Sequence, residues 1–346
     1  MSTFAWLRSE VKEPSVADVI DTALVDAAKK EGAISSAGMP DSWANWKGTW
    51  AELTSRYGLK HTDRDMSSAQ QLAGFETDRS GADIGDVGDA FGSIAVAKGV
   101  TQPFKPSTWD QIPAWAKDAD GHWMLAYTGT IAFIVDKQMV KEGERPAAWH
   151  ELERGGYTVA IGDVGTAAQA SAGVLAAAIA YKGDESNIAP GLQLFTKLAQ
   201  QKRLSLADPM LEALKKGEIE VGVLWDFNAL SYRDHIDPDR FEVRIPSDGS
   251  VISGYSTIIN KRAKNPNAAK LAREFIFSDA GQLNLARGHA RPIRAEHVEL
   301  PVDVQAKLLP NQQYGAAQQI KNAAAWESTL SKLSGMWQEQ VIIEME

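Results

Sequence analysis

Two long extended stretches, residues 123–136 and 251–260, place the strongest constraint on the fold of this chain. They flank a segment that could form a complete α/β unit by itself. The chain would enter a second lobe along the first stretch and return along the other, which leaves the first lobe discontinuous in sequence. Two lobes joined in this way close about a hinge, and the cleft between them is a preferred site for a small molecule.

Short strands alternate with helices along the rest of the chain, which predicts a largely parallel sheet. Residues 16–30 form a helix that ends in two lysines before Gly32. At 346 residues the chain also exceeds the size that one hydrophobic core usually reaches. We therefore predict an α/β, two-lobed fold with a ligand cleft, in which lobe one comprises residues 1–126 and 256–346 and lobe two comprises residues 127–255.

Composition excludes several classes of protein. The net charge is −9, so the basic face that nucleic acid requires is not expected. The absence of cysteine excludes disulfides, cysteine-based zinc sites and thiol nucleophiles. No apolar run reaches the ~18 residues of a membrane span. The first residues lack a leader pattern, so the protein is either cytosolic or an exported protein whose leader has been removed.

Three stretches carry a resemblance to a known family. They are PAWAKDADGHW at 113–123, PMLEALKKGEIEVG at 209–222, and an ordered set made of PSDG at 246–249, AKNPNAAK at 263–270, FIFSDAGQ at 275–282 and RPIR at 291–294. Together they resemble the type II periplasmic solute-binding proteins of ABC importers (extracellular solute-binding family 1). The resemblance implies a monomeric periplasmic protein that binds a small molecule, uses no cofactor, is not an enzyme, and delivers its ligand to an ABC permease in the inner membrane.

Within that family the chain departs from the iron binders, because it lacks their tyrosine pair after the buried strand 220–226. It is most similar to the members that bind GABA. Those members imply an arginine for the ligand carboxylate and an aspartate for its ammonium, at the positions of Arg203 and Asp226. A polyamine or an aminoalkylphosphonate is the alternative ligand; several buried acids would indicate the first, and several helix N-termini the second.

Asp226 is the most informative candidate, because it ends the buried strand and is flanked by Trp225 and Phe227. Parallel strands present such terminal residues to the ligand crevice, and a buried carboxylate needs a cation nearby. The aromatic neighbours could add cation–π contacts to a ligand ammonium. The alternative is that Asp226 caps the following helix. For Arg203, at a helix end, the alternative is a solvated surface cluster.

Further candidate ligand contacts come from helix starts and aromatic residues. Ser68 and Thr166 open helices whose N–H groups could bind an anion or serve as ordinary caps. The aromatic side chains at strand ends and hinge strands could line the pocket or belong to the core; they are Trp43, Phe91, Tyr127 and Tyr255.

No metal or catalytic motif is evident. The six histidines have no ligand spacing, so a metal site is not expected. Asp83, Asp86 and Asp89 recur every third residue but lack the rest of a calcium loop, and we interpret them as solvated or capping. Because no nucleophile is paired with a base, an enzyme on the same fold ranks behind a binding protein.

Overall fold

The computed structural model describes residues 20–77 and 81–345. Lobe one begins with alternating helices and strands, which are α1 Thr22–Glu31, β1 Ala33–Ala37, α2 Trp46–Tyr57, β2 Lys60–Arg64, α3 Ser68–Thr77, β3 Ile84–Gly88, α4 Asp89–Ala97 and β4 Thr101–Gln102. Strand β1 pairs in parallel with β2 and β3, as the alternation predicts. The start of the helix expected at 16–30 and the N-terminal residues without a leader pattern lie outside the described residues.

The chain then crosses into lobe two along β5 Trp123–Asp136. The elements of lobe two are α5 Trp149–Leu152, β6 Val159–Ala160, α6 Ala168–Ala180, α7 Ala189–Gln200, β7 Leu204–Ser205, α8 Leu211–Lys216, β8 Val221–Trp225, α9 Asp226–Ile236 and β9 Phe241–Arg244. Strand β6 pairs in parallel with β7 and β8, and β8 pairs antiparallel with β5. Helices α6 and α7 pack closely, because α6 consists mostly of alanine and α7 has glycine at the contact. A Cβ at Gly191 of α7 would lie only 2.3 Å from the Val174 carbonyl oxygen of α6.

The return strand is β10 Ser250–Asn260, which runs antiparallel to β5 from the Ile252–Thr130 pair to the Ile258–Trp123 pair. The N-terminal half of β5 belongs to the sheet of lobe one, and its C-terminal half belongs to the sheet of lobe two. Together the strands follow the order β2-β1-β3-β10-β5-β8-β6-β7. The expected lobe boundaries at 126 and 255 therefore fall within two strands that join the lobes, which is where a hinge acts.

The remaining elements are α10 Pro266–Phe277, α11 Asp279–Arg287, β11 Arg291–Pro292, α12 Val302–Gln305, β12 Ala317–Gln319 and α13 Ala323–Gln340. Helix α13 lies against lobe two, where Trp337 packs edge-on against Phe195 of α7 with ring centroids 5.5 Å apart. The hydroxyl of Thr196 donates to the Gln340 carbonyl at 2.9 Å. The N-terminal end of α13 lies near lobe one, because Trp326 and residues of α4 line one small gap between the two helices.

The C-terminal segment, which the sequence analysis assigns to lobe one as part of 256–346, contacts both lobes, and that assignment stays a prediction. Leu309 and Tyr314 pack into an apolar cluster of lobe two. The physical reason is the apolar face of α13, whose tryptophans are buried against α7 and α4. No helix in the described ranges is long and apolar enough to cross a bilayer.

Candidate ligand cleft

A cavity of about 340 Å³ lies between the two lobes. Lobe one lines it with residues from the ends of β1 and β2 and the start of α3, and lobe two with the loop before α6 and the residues before α8. Beside the cavity the lobes touch, because a Cβ at Gly88 of β3 would lie 2.5 Å from the Cβ of Ala168 in α6. The structure thus shows the lobes in contact across the cleft.

Asp86 is the buried charge of this cleft. It lies in the middle of β3, is 1% exposed, and lines the cavity. One carboxyl oxygen, Oδ2, accepts from the Tyr127 hydroxyl at 2.7 Å. The other, Oδ1, makes no hydrogen bond among the described residues; its neighbour is the indole N–H of Trp46, a buried donor that also makes none and that favours the charged form of Asp86. Burial raises the pKa of Asp86 well above its usual range, against the lowering effects of Tyr127 and Trp46.

Gln71 also lines the cavity, with its amide held against the backbone of lobe one. Its side-chain nitrogen donates to the carbonyls of Met66 at 3.1 Å and Asp86 at 2.8 Å, which fixes the orientation of the amide. Its oxygen, Oε1, is buried and has no partner among the described residues. Gly38 makes room for this arrangement, since a Cβ there would lie 2.1 Å from the Gln71 nitrogen, and its φ of +70° suits glycine.

An aromatic wall stands next to Asp86. The indole N–H of Trp43 donates to the Tyr127 hydroxyl at 2.8 Å, so one tyrosine connects the wall to the carboxyl group. The rings of Trp43 and Tyr255 meet edge to face at 5.4 Å. Trp43 reaches this position because Ala44 and Asn45 adopt left-handed conformations, with φ of 46° and 54°, before α2 begins. A cation beside Asp86 would therefore meet aromatic faces.

Lobe two contributes polar groups that are mostly acidic. The carboxylate of Asp163 accepts from the Gly165 N–H at 2.9 Å and from the Thr166 hydroxyl at 2.6 Å, just before α6. Asp208 and Tyr232 line the cavity further along. Partial burial raises the pKa of Asp208, and the neighbouring charges of Asp163 and Asp65 raise it further.

The charge of the cleft is negative. Four carboxyl groups line it, and the described lining residues include no lysine, arginine or histidine; the four are Asp65, Asp86, Asp163 and Asp208. Among the described lining residues, the buried side-chain atoms without a hydrogen-bond partner are Asp86 Oδ1 and Gln71 Oε1, both acceptors, and the buried indole N–H of Trp46 lies near the first. The arrangement is therefore suited to a ligand that brings positive charge and hydrogen-bond donors.

The structure brings together part of the set of residues predicted from the sequence. Four of the ten line the cavity, namely Trp43, Ser68, Thr166 and Tyr255. Three lie directly behind these: Tyr127 holds Trp43 and Asp86, Trp225 donates its indole N–H to the Tyr255 hydroxyl at 2.9 Å, and Phe227 packs edge-on against Trp43 at 5.5 Å. Their roles in ligand binding stay predictions.

Asp226 does not line the cavity. Its Oδ1 accepts from the N–H groups of Thr130 and Phe227, both at 2.9 Å, and its Oδ2 accepts from the Tyr314 hydroxyl at 2.7 Å. Burial raises its pKa, while these donors and the charge of Arg291 lower it. Both oxygens are satisfied within the protein, so the geometry matches the alternative in which Asp226 secures the start of α9.

Arg203 and Phe91 also lie away from the cavity. The guanidinium of Arg203 donates to the carbonyls of Tyr157 at 2.9 Å and Leu152 at 2.8 Å, and stacks over the Tyr157 ring. It therefore supports the β6–β7 edge of lobe two. Phe91 borders a separate small gap between α4 and α13. The expected pairing of Arg203 with Asp226 around one ligand has no geometric support.

The sequence interpretation of Asp86 as solvated or capping is wrong, since the residue is almost completely buried. The sequence does carry a signal for the burial of Asp86, which lies inside a short apolar strand. Burying a carboxyl group there costs free energy unless a partner is supplied. Asp83 is buried too, but it accepts from Ser35 and Asn265 and is structural. Residues 20–77 and 81–345 contain no group of three or more acidic or histidine side chains that could hold a metal ion.

Comparison with known proteins identifies the family. Residues 81–328 match the family model of bacterial extracellular solute-binding proteins, and the chain belongs to that family. The expectation of a solute-binding protein and not an enzyme is thereby confirmed. A search of curated protein sequences gave no match.

Solved structures with the same fold confirm the two-lobed architecture. The periplasmic binding protein AfuA from Actinobacillus pleuropneumoniae, with fructose-6-phosphate bound, has a TM-score of 0.73 at 15% identity, covering 89% of this chain and 98% of its own. A GABA receptor has a TM-score of 0.66 at 14% identity, covering 88% and 96%. A ferric binding protein from Campylobacter jejuni has a TM-score of 0.64 at 16% identity, covering 88% and 98%. These proteins bind chemically different ligands, so the cleft residues must decide what this chain binds.

Proposed function

We propose that the protein is the periplasmic, monomeric binding component of an ABC importer, and that it captures a cationic amine of the diamine or polyamine class for a permease in the inner membrane. The observation that carries the ligand class is the charge of the cleft lining, in which four aspartates stand without a lysine, arginine or histidine among the described lining residues. An ammonium group supplies several N–H donors and one positive charge, which match such a lining.

Energetics favour a cation over a neutral ligand. A buried carboxylate costs several kcal/mol unless a cation compensates it, and no cationic side chain of the described residues lines the cleft. A cation over the Trp43 ring would gain about 0.5–2 kcal/mol more. Closure of the lobes would exclude water and strengthen both interactions.

Anionic groups are disfavoured in the cleft, because side-chain acceptors and carboxylates stand at the helix starts that line it. At α3, Ser67 and Gln70 cap each other: the Ser67 N–H donates to the Gln70 side chain at 2.9 Å, and the Ser67 hydroxyl accepts from the Gln70 N–H at 3.4 Å. Ser68 accepts from the Gly88 N–H at 3.0 Å. In the turn before α6, the carboxylate of Asp163 accepts from the Gly165 N–H and the Thr166 hydroxyl, while the helix itself begins without a side-chain cap. A phosphonate or sugar phosphate at this helix start would meet the like charge of Asp163.

A zwitterionic ω-amino acid such as GABA is the second candidate, which the likeness to a GABA receptor favours. Its ammonium would bind at Asp86. Its carboxylate would face Asp65, Asp163 and Asp208. Arg203 could not bind this carboxylate, because it lies outside the cavity and donates to backbone carbonyls of lobe two. We therefore place GABA after the diamines.

Isothermal titration calorimetry with 1,4-diaminobutane, spermidine, GABA and 2-aminoethylphosphonate tests this ranking. We expect micromolar or tighter binding of the diamine or the triamine, at least about tenfold tighter than GABA, since each unpaired charge in a closed site costs more than 1.4 kcal/mol. The Asp303→Asn variant, which alters an exposed aspartate outside the cleft, serves as the control. Tight binding of the phosphonate and none of the amines would overturn the proposal.

A further inference from the structure

We propose that Asp65 of lobe one and Asp208 of lobe two, with the Tyr232 hydroxyl between them, form a second ammonium site that exists only when the lobes are closed. This inference rests on the proposed function and narrows it, because it requires a ligand with two positive charges. The first ammonium binds at Asp86, and the second draws the two lobes together.

The geometry supports a site shared between lobes. Asp65 follows β2 in lobe one, whereas Asp208 precedes α8 and Tyr232 lies on α9 in lobe two, and all three line the one cavity that contains Asp86. Burial raises the pKa of the Tyr232 hydroxyl, and the charges of Asp65 and Asp208 raise it further. Neither lobe holds the set alone.

No cation of the protein compensates this set. Tyr232 is 2% exposed and lines the cavity, and its hydroxyl makes no hydrogen bond to any described residue. Asp208 accepts a hydrogen bond from the Asp163 N–H, and Asp65 is exposed. In the same ranges, 20–77 and 81–345, neither Asp65 nor Asp208 forms an ion pair. A buried hydroxyl without a partner and two carboxylates without a cation, all lining one cavity, call for a ligand group with N–H donors and positive charge.

The like charges of Asp65 and Asp208, on opposite lobes, also affect how the lobes open and close. Without a ligand, the carboxylates of Asp65 and Asp208 repel each other as the cleft narrows, which favours an open arrangement. A cation between them reverses the sign of the interaction. The described residues offer no cluster suited to a metal ion, so an organic ammonium fits better than a divalent cation. A ligand with one ammonium would bind at Asp86 but leave the repulsion in place.

The test compares 1,4-diaminobutane with n-butylamine, which has the same carbon chain and one ammonium group fewer. Calorimetry is performed on the wild type, Asp65→Asn, Asp208→Asn and the control Asp303→Asn. We expect the wild type to bind the diamine at least about tenfold tighter than the monoamine. Each cleft variant should lose about tenfold or more for the diamine and change little for the monoamine. Small-angle scattering should show compaction with the diamine only.

The outcomes separate this inference from the proposed function. Equal affinity of the wild type for both amines, or equal losses for both in Asp208→Asn, would overturn the second site and leave the amine function standing. Absence of binding by either amine would overturn both. Because Asp65→Asn and Asp208→Asn lie on different lobes, a folding defect in one, seen by circular dichroism, leaves the other to decide.

Discussion

Asp86 and Asp226 are two buried aspartates in nearly equivalent surroundings, and the difference between them locates the ligand site. Asp86 is 1% exposed and Asp226 is 2% exposed, and burial raises the pKa of both. Each accepts a hydrogen bond from a tyrosine hydroxyl at 2.7 Å, Tyr127 in the first case and Tyr314 in the second. Only Asp226 has its remaining oxygen satisfied, by two backbone N–H groups.

The comparison teaches that burial alone does not distinguish a structural carboxyl group from a functional one. A structural group pairs all its oxygens inside the chain, as Asp226 does at the start of α9. A group kept for a ligand lines a cavity and does not pair all its oxygens inside the chain, at a cost in stability, as is the case for Asp86. Accounting for each buried polar atom therefore separates the two roles.

Asp86→Asn should have the largest effect on binding. The variant keeps the size of the side chain but loses the charge, so we expect diamine affinity to fall by a factor of about 100 or more, or about 3–5 kcal/mol. Asp226→Asn, the matched variant, should bind as the wild type does. Calorimetry on both variants checks this, and a reversed order of effects would contradict the comparison.

The same Asp86→Asn variant should not lose stability. Folding raises the pKa of Asp86, so this group stabilises the fold below its ordinary pKa and that contribution is lost as pH rises through the folded-state pKa. Asparagine does not ionise, so the variant does not lose this stability as pH rises. Its melting temperature at pH 8 should therefore be the same as that of the wild type or higher. This melt is the folding control for the binding measurement.

Asp226→Ala should have the largest effect on stability. It leaves the N–H groups of Thr130 and Phe227 and the Tyr314 hydroxyl without their acceptor, which should cost about 2–4 kcal/mol. Urea denaturation in the absence of ligand gives the free energy of unfolding. Native stability together with lost diamine binding would instead restore Asp226 to the ligand site.

Substitution of the two tyrosines that bind these aspartates should give the smallest effects. Tyr127→Phe should change the pH dependence of ligand binding, whereas Tyr314→Phe should change only the stability of the fold. Since Asp86 must be ionised to bind an ammonium, affinity should rise with pH up to the raised pKa of Asp86 and then level off. Tyr127→Phe removes a hydrogen bond that lowers this pKa, so the rise should shift to higher pH, with affinity about tenfold weaker at neutral pH. Tyr314→Phe should leave the pH profile in place and cost about 1 kcal/mol of stability. An unshifted profile in Tyr127→Phe would contradict the link between Tyr127 and Asp86.

Local patterns were sufficient to predict most of the fold. The long strand expected at 123–136 has those bounds, and the strand expected at 251–260 begins one residue earlier. These stretches are apolar and rich in β-branched and aromatic residues, so local preference and burial agree. Helix α2 begins only at Trp46, after left-handed Ala44 and Asn45, and this turn, which the sequence pattern does not indicate, places Trp43 in the cleft.

The site was harder to predict, because long-range contacts decide it. Tyr314, which satisfies Asp226, lies 88 residues away in a segment expected to belong to the other lobe. The carbonyls that hold Arg203 lie about 50 residues upstream, at separations of 46 and 51 residues. Asp86 became a candidate only once the packing around β3 placed this buried residue in the wall of the cavity, with one oxygen that accepts no hydrogen bond. A strand pattern indicates which residues are buried but not which remain without a partner.

A crystal structure of the complex with 1,4-diaminobutane tests the central claim most directly. We expect one ammonium nitrogen within hydrogen-bond distance of Asp86 Oδ1 and Gln71 Oε1, beside the Trp43 ring. A ligand seated elsewhere, with Asp86 Oδ1 still unpaired or with Asp226 as its carboxylate partner, would contradict the account.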